Sequence, residues 1–296
     1  TAANSAASAA PIDNTRGIVA MLASVVVFIF NDALIKLAAE TVPSVQAIGV
    51  RGVFATLWCG LALLATGAWR RISYAVHPRV MLRGGLEAGA AIIYLIALFQ
   101  IPFAIASAVN LSTPLILTVL AVLILKEDVR WRRWTAVGVG FLGVLLVIQP
   151  RPGDINMWTW VALAGTILGA FRDIIARHLP PAAPTLVVSF TTAITVAAVG
   201  CIWALVEGWQ PIDPRAWGYI VASSLLLAIG YQFLVIALRS GGEISVMGSF
   251  RYSSILWALG IGWVVWGEVP NTLAFAGIAV IVGSGLYILH RERVRR

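Results

Sequence analysis

The sequence predicts an all-α integral membrane protein in which ten transmembrane helices form two inverted five-helix repeats. Of its 296 residues, 60% are hydrophobic and only 11% are charged, which is too few charged groups to cover a soluble globule of this size. Apolar windows of bilayer-spanning length recur along the whole chain. An offset of 141 residues aligns polar positions of the second half with polar positions of the first.

Ten windows are apolar over about the 20 residues that a helix needs to cross a bilayer. They cover residues 17–38, 43–66, 81–100, 103–125, 133–150, 156–176, 184–206, 216–238, 243–266 and 270–289. Segments with Pro, Gly or charge separate them, as is typical of turns at a membrane surface. We therefore predict a first repeat over 17–150 and a second over 151–290. Residues 1–16 are expected to form a flexible cytoplasmic tail, and residues 291–296 a basic one.

Lysine and arginine fall mainly on one side of the predicted helices. If the N-terminus is inside, the cytoplasmic segments include the basic clusters within 70–83, 126–133 and 291–296. The opposite side keeps only Lys36, Arg151 and Arg215. Because positive residues bias loops toward the cytoplasm, this asymmetry predicts a multi-pass protein of the bacterial inner membrane with both termini in the cytoplasm. The net charge of +8 is explained by orientation, and no nucleic-acid partner is expected.

The 141-residue offset indicates an internal duplication. It aligns the first and the fourth predicted helices of the two halves without a gap. The aligned pairs include Phe30 with Phe171, Asp32 with Asp173, Pro43 with Pro184 and Asn110 with Arg251. Because each half has five spans, an odd number, the second half must enter the membrane from the opposite face. Such inverted repeats are typical of transporters that expose one central site to each side in turn, and an inert scaffold is less favoured.

The fourth window holds polar residues that a helix in lipid does not need. Asn110, Ser112 and Pro114 lie near the middle of the stretch Pro102–Glu127. Proline has no N–H and crowds the carbonyl four residues earlier, so Pro114 is expected to break the helix and to free the backbone carbonyl of Asn110. The second copy has Ile255 in place of this proline, so the two copies need not break alike.

Few ionisable residues fall inside the predicted spans, where a charge costs a few kcal/mol. Arg251 lies about eight residues into the ninth helix and is expected to face the cavity or a carboxylate. Glu87 lies in the third helix, one turn after Arg83. It is either a cavity charge suited to proton coupling or one half of a local ion pair with Arg83.

Two further acidic residues lie near predicted helix ends. Asp32 follows Asn31 in the first helix, and Asp173 follows Arg172 in the sixth. Their position predicts capping, or a side chain that extends to the interface. Arg51, at intermediate depth, can pair with Asp32 near the outer surface.

Together these residues predict a central cavity for a small zwitterion, lined by the third, fourth, eighth and ninth helices. The predicted substrate-binding residues are Asn110, Ser112, Arg251, Tyr252, Ser253, Tyr94, Tyr231, Gln232 and Trp257. Asn110, its freed carbonyl and Arg251 would contact the amine and carboxylate of the substrate, and the aromatic rings would form the walls. Serines at helical spacing can instead serve helix packing, which is their commoner use in membranes.

Both halves end their fourth helix in a short motif. An apolar run from Pro114 leads to Lys126–Glu127 and then to Gly138, Gly140 and Gly143, while the second half has Gly267–Glu268 followed by Gly277, Gly283 and Gly285. In this pattern the chain resembles the ten-helix EamA form of the drug/metabolite transporter superfamily. The resemblance implies a secondary transporter. Within that superfamily the chain is most similar to bacterial exporters of aromatic amino acids, which implies export of aromatic or other neutral amino acids.

Other functions stay open from the sequence. An intramembrane enzyme is disfavoured because His77, His178 and His290 lie at predicted helix ends and the spans hold no HExxH or comparable catalytic set. A channel, or a carrier for another metabolite or drug, is not separated from an amino-acid exporter. No Walker A sequence occurs, so ATP-driven transport would require a partner protein. No cofactor is expected. The predicted partners are a small amino-acid-like substrate and the lipid bilayer.

Overall fold

The computed structural model describes residues 15–98, 100, 109–149, 156–240, 243–266 and 271–294, and these ranges are almost entirely helical, without a β-strand. Six of the described helices are long and apolar enough to cross a membrane. The prediction of an all-α membrane fold is therefore confirmed, while the count of ten spans stays a prediction. Most of the predicted N-terminal tail, the Gly267–Glu268 motif and the last two residues lie outside the described ranges.

The described elements follow the predicted windows closely. The α-helices are α1 (Thr15–Ala38), α2 (Ser44–Thr66), α3 (Pro78–Leu98), α4 (Thr113–Leu123), α5 (Trp131–Ile148), α6 (Met157–Arg177), α7 (Thr185–Glu207), α8 (Pro214–Arg239), α9 (Ile244–Ser249), α10 (Ser254–Trp266) and α11 (Thr272–Val294). One 3-10 segment, Ala68–Val76, connects α2 to α3, and a second, Phe250–Ser253, connects α9 to α10.

Side chains at the helix ends explain several boundaries. The Asn156 side chain accepts hydrogen bonds from the backbone N–H groups of Trp158 and Thr159 at 2.9 and 3.3 Å, which forms a capping box at the start of α6. Asp213 starts α8 similarly, since its carboxylate accepts from the backbone N–H of Arg215 at 2.9 Å. These caps satisfy N–H groups that a helix start leaves without partners.

The fourth and ninth predicted helices are both interrupted. Positions 111–112 form a turn before α4, and Pro114 lies in the first turn of that helix, where a missing N–H breaks no hydrogen bond. In the second half, the 3-10 segment Phe250–Ser253 separates α9 from α10. The offset of 141 residues maps the turn onto positions 252–253, so both halves deviate from the α-helix at the same place although only one has a proline.

Helices of the first half pack against helices of the second. The main pairs are α1 with α8, α2 with α7, α3 with α6, and α5 with α11. In the α2–α7 pair, Gly49 lies against Gly200 and Gly52 against Ala197, so the two helices are antiparallel. A Cβ on Gly49 would lie only 2.7 Å from the backbone nitrogen of Cys201. Glycine is therefore required for this close approach of the two backbones.

The α5–α11 pair is also antiparallel and tightly packed. A Cβ on Gly277 would lie 2.6 Å from the carbonyl oxygen of Gly143. Two turns away, the Ser284 hydroxyl donates to the carbonyl oxygen of Ala136 at 2.6 Å. The 141-residue offset aligns Ala136 with Gly277 and Gly143 with Ser284. Replacing each residue by its equivalent therefore turns the Gly143–Gly277 contact into the Ala136–Ser284 contact.

Candidate functional site

Four charged side chains meet inside the helix bundle. Arg172 of α6 forms an ion pair through Nη1 with Oε2 of Glu87 on α3, and its Nε donates to Oδ1 of Asp173 at 2.8 Å. Arg251, in the 3-10 turn between α9 and α10, donates from Nη2 to Oδ2 of Asp173 at 2.6 Å. A continuous chain of ion pairs therefore links α3, α6 and the α9–α10 turn.

This ionic cluster, which consists of Glu87, Arg172, Asp173 and Arg251, is largely buried. The Asp173 side chain is 0% exposed, and those of the other three members are 14–17% exposed. Burying a charge is costly unless it is paired, and removing one partner of a buried pair costs about 3–5 kcal/mol. Each member of the cluster thus neutralises the buried charge of at least one other member.

The packing of α6 on α3 positions the cluster. A Cβ on Gly165 would lie 3.1 Å from the backbone nitrogen of Tyr94, which marks where the two helices approach closely. Residues seven apart share a helix face. Because the helices are antiparallel, Arg172, seven residues after Gly165, faces Glu87, seven residues before Tyr94.

Arg83 is buried beside the cluster without a hydrogen-bonded carboxylate in the described part of the chain. Its side chain is 0% exposed, and its Nη1 donates to Oγ1 of Thr192 on α7 at 2.5 Å. Its Nε and Nη2 have no hydrogen-bond partner among the described residues. A buried donor left unsatisfied costs about 1–3 kcal/mol, and more when it is charged. Glu87 pairs with Arg172, so the alternative of a local Arg83–Glu87 ion pair is wrong.

A second polar chain connects α1 and α2. Asn31 donates from Nδ2 to Oδ1 of Asp32 at 2.8 Å, and Arg51 donates from Nη1 to Oδ1 of Asn31 at 3.2 Å. Asn31 therefore mediates the link between Arg51 and Asp32 that the sequence suggested. The 141-residue offset aligns Asn31–Asp32 with Arg172–Asp173, so equivalent positions of the two halves carry polar networks.

The polar groups predicted before α4 are present, but neighbouring hydroxyl groups already hydrogen-bond to the backbone carbonyls there. The carbonyl oxygen of Asn110, which Pro114 cannot engage, accepts from the Thr113 hydroxyl at 2.5 Å. The Ser112 hydroxyl donates to a carbonyl one turn back at 2.6 Å. The Asn110 side chain, in turn, is hydrogen-bonded to Tyr94 of α3. The freed carbonyl is thus satisfied within the protein in this conformation.

Tyr231 of α8 lies near the charged groups, and Gln232 follows it in the chain. Tyr231 is buried and packs edge-on against Phe28, with ring centroids 5.9 Å apart. Four charged residues interact electrostatically with Tyr231: Glu87, Arg51, Arg83 and Arg172. The Nε2 of Gln232 is buried and has no partner among the described residues. Tyr231 is therefore a neighbour of the ionic cluster.

The other three predicted site residues contact different surroundings. Tyr252 is buried against Gly140 of α5, and its hydroxyl donates to a backbone carbonyl of that helix at 3.2 Å. The Ser253 hydroxyl donates to a carbonyl one turn back at 2.7 Å, and Trp257 is 44% exposed on α10. Successive helical residues point in different directions, so Tyr252 packs on α5 while Arg251 enters the ionic cluster.

Sequence reasoning missed the role of Arg172 and Asp173. The expectation that they cap or snorkel is wrong, because both α3 and α4 pack on α6 and enclose this face of the helix. Two signals pointed to Asp173: the offset aligns it with Asp32, and Arg251 required a carboxylate. Distance from a helix end did not reveal which face of the helix the residue occupies.

Residues 15–149 match the EamA-like transporter family. The chain carries an EamA domain. The resemblance to the EamA form of the drug/metabolite transporter superfamily is thereby confirmed.

Similar proteins are known transporters of different metabolites. The pseudopaline exporter of Pseudomonas aeruginosa is 27% identical over 268 residues, which are 90% of this chain and 92% of that one. The S-adenosylmethionine uptake transporter of Rickettsia bellii is 26% identical over 65% of each chain. The riboflavin transporter of Vibrio cholerae is 24% identical over 66% of this chain and 65% of its own. The relatives of this chain are thus transporters, which favours transport over catalysis.

A solved structure shares the fold. The crystal structure of another protein superposes with a TM-score of 0.80 at 19% identity, covering 94% of this chain and 97% of that chain. A likeness at this level of identity concerns the fold alone. It extends the match beyond the EamA domain to both halves of the chain.

Proposed function

We propose that this EamA protein is a secondary transporter that exports small amphipathic metabolites by alternating access, with aromatic or other neutral amino acids as candidate substrates. The observation that carries the proposal is the buried chain of ion pairs from Glu87 through Arg172 and Asp173 to Arg251. Charged groups inside a membrane are costly and usually mark a substrate or ion pathway. Here the first half of the chain supplies Glu87, and the second half supplies Arg172, Asp173 and Arg251.

Two inverted repeats, over 17–150 and 151–290, are part of this proposal. The helices that the offset makes equivalent, α2 with α7 and α5 with α11, run antiparallel. Units whose equivalent helices run in opposite directions enter the membrane from opposite faces. The exchange of the Ala136–Ser284 and Gly143–Gly277 contacts is what a two-fold axis between the units would produce. This symmetry supports a rocking motion about a central site.

A zwitterionic substrate would bind by exchanging partners with the ionic cluster. Its carboxylate would compete with Asp173 for Arg251, and its amine would compete with Arg172 for Glu87. Such an exchange leaves no buried charge unpaired, which keeps its cost low. The helix interruptions at 111–112 and 250–253 provide irregular backbone next to Asn110 and Arg251, where the two halves can change their packing.

Glu87 is the residue that we propose for proton coupling. Protonation would neutralise its carboxylate and weaken its hold on Arg172, which is its partner across the two halves. Transport by wild type is then expected to respond to an imposed proton gradient, and transport by Glu87→Gln is not. An equal response in both proteins would contradict the proposed coupling.

The transport proposal is tested by flux through the purified, full-length protein in liposomes. Labelled L-tryptophan, L-phenylalanine and L-leucine serve as probes, and saturable, competable flux is expected. Arg251→Ala should abolish or severely reduce flux while membrane insertion is retained. Arg215→Ala is the matched control, because Arg215 is exposed at the start of α8.

Three outcomes would contradict this proposal. Wild-type flux in a well-inserted Arg251→Ala variant would remove that residue from the site. Flux far above carrier turnover, without saturation, would indicate a channel. A chemically altered product would indicate an enzyme.

A further inference from the structure

One edge of the buried Arg83 guanidinium is open in the sense that its N–H groups have no hydrogen-bond partner among the described residues. Thr192 accepts from Nη1, which leaves Nε and Nη2 without partners among the described residues. These two nitrogens lie side by side on one edge of the planar group and carry parallel N–H bonds. A carboxylate binds such an edge through two hydrogen bonds at once. The open edge therefore has the donor geometry that a carboxylate can bind through two hydrogen bonds.

The charges around Arg83 do not balance. The positive residues are Arg83, Arg172 and Arg251, and the negative ones are Glu87 and Asp173. Arg172 and Arg251 already bind both carboxylates. The nearby pair of Arg51 and Asp32 contributes one charge of each sign. Among the residues that the structure describes, the region thus carries one excess positive charge, next to the open edge of Arg83.

Other unpartnered polar atoms in the described interior are donors too. They include Nε of Arg51 on α2 and Nε2 of Gln232 on α8, and the Ser189 hydroxyl can donate as well. Tyr231 of α8 lies near both Arg51 and Arg83. What these groups lack is hydrogen-bond acceptors, which a carboxylate supplies and an ammonium group does not.

We propose that Arg83 binds a carboxylate of the transported metabolite, and that the transporter therefore selects substrates that carry one. This inference rests on the proposed transport function and revises one contact in it: the substrate carboxylate binds Arg83 and does not displace Asp173 from Arg251, whose Nη2 Asp173 already holds. The incoming carboxylate neutralises the excess charge and fills the open edge of Arg83. Thr192 holds the guanidinium in place, since its own hydroxyl donates to the carbonyl of Val188 at 2.9 Å.

The site is tested by probe binding to the full-length protein in detergent. The probes are 3-phenylpropionate, which carries a carboxylate, and 3-phenylpropanamide, its neutral analogue. The carboxylate is expected to raise the Tm of wild type saturably, with an affinity about 10- to 100-fold above that of the amide. Arg83→Gln should lose this preference, and Arg83→Lys, which keeps the charge without the edge, should retain part of it. Equal stabilisation by both probes would overturn the proposal.

Arg79→Gln is the matched control for this experiment. Arg79 lies one turn earlier on α3, is exposed and donates to the carbonyl of His178 at 2.8 Å, so its loss should leave the carboxylate preference unchanged. Without probe, Arg83→Gln is expected to have a Tm no lower than wild type, because an unsatisfied buried cation is removed. A lower Tm with an unchanged probe preference would show a purely structural role and overturn the proposal. If Arg83→Gln does not fold, an unchanged preference in Arg83→Lys has the same meaning.

The site and the transport function can fail separately. Unchanged amino-acid flux in Arg83→Gln liposomes would keep transport and overturn the carboxylate site. Carboxylate-selective binding that requires Arg83, without flux of any amino acid probe, would keep the site and contradict the proposed function.

Discussion

Arg251 donates from Nη2 to Oδ2 of Asp173 at 2.6 Å, and this ion pair ties the 3-10 turn between α9 and α10 to α6. A 3-10 stretch within a longer helical segment often marks a hinge. The second oxygen of Asp173 is bound by Arg172, which also holds Glu87 of α3. Three ion pairs therefore connect the turn to a helix of the other half.

Replacing Asp173 with Asn is expected to destabilise the protein and to stop transport. The change leaves Arg251 buried without its carboxylate, and losing one partner of a buried pair costs about 3–5 kcal/mol. The Tm in detergent and the flux in liposomes measure the two effects. Asp213→Asn is the control, because an asparagine caps α8 as well as an aspartate does. The double variant Asp173→Asn/Arg251→Gln should regain part of the lost Tm, and a wild-type Tm in Asp173→Asn alone would contradict the buried pair.

Gly277→Ala is expected to lower the Tm by separating α5 from α11. The added Cβ would lie 2.6 Å from the carbonyl oxygen of Gly143, closer than real Cβ contacts allow. Gly138→Ala on α5 is the matched control, because nothing lies within 4 Å of a Cβ there. Alanine is the better helix former, so this control should be neutral or stabilising by about 0.5–1 kcal/mol. Equal Tm values for the two variants would refute the close packing.

Pro114→Ala is expected to slow transport several-fold without lowering the Tm. The new backbone N–H can donate to the carbonyl of Asn110, which now accepts from the Thr113 hydroxyl, and this favours a continuous helix across the turn. Initial flux rates and Tm values in detergent report the two properties. Pro211→Ala, in the exposed connection between α7 and α8, is the control. Unchanged flux in Pro114→Ala would show that the interruption does not matter for the cycle.

The proposed topology predicts the side of the membrane that each connection occupies. Alkaline phosphatase fused after Gln149, beyond the fifth predicted span, should be active because that position is expected outside the cytoplasm. Green fluorescent protein fused after Ser240, beyond the eighth, or at the C-terminus should fluoresce. Active phosphatase after Ser240 would contradict ten spans with cytoplasmic termini and the inverted repeats that depend on them.

Several elements could be predicted from the sequence with good accuracy. The helices α1, α2 and α7 begin and end within two residues of their predicted windows. Hydrophobic length sets these ends, since a span must be apolar for the width of the bilayer and the turns that follow carry Pro, Gly or charge. The interruption of the ninth helix was harder to predict, because no proline or glycine marks Phe250–Ser253.

For the site, the residue pattern was enough to indicate that Arg251 needs a partner and that Glu87 lies at a depth where a charge has a role. The identity of the partners follows from helix packing, which places Arg251 against Asp173 and Glu87 against Arg172 instead of its helical neighbour Arg83. Spacing along one helix predicts contacts on that helix alone. Contacts between helices depend on their rotation and register, which small residues such as Gly165 set once α3 and α6 have packed together.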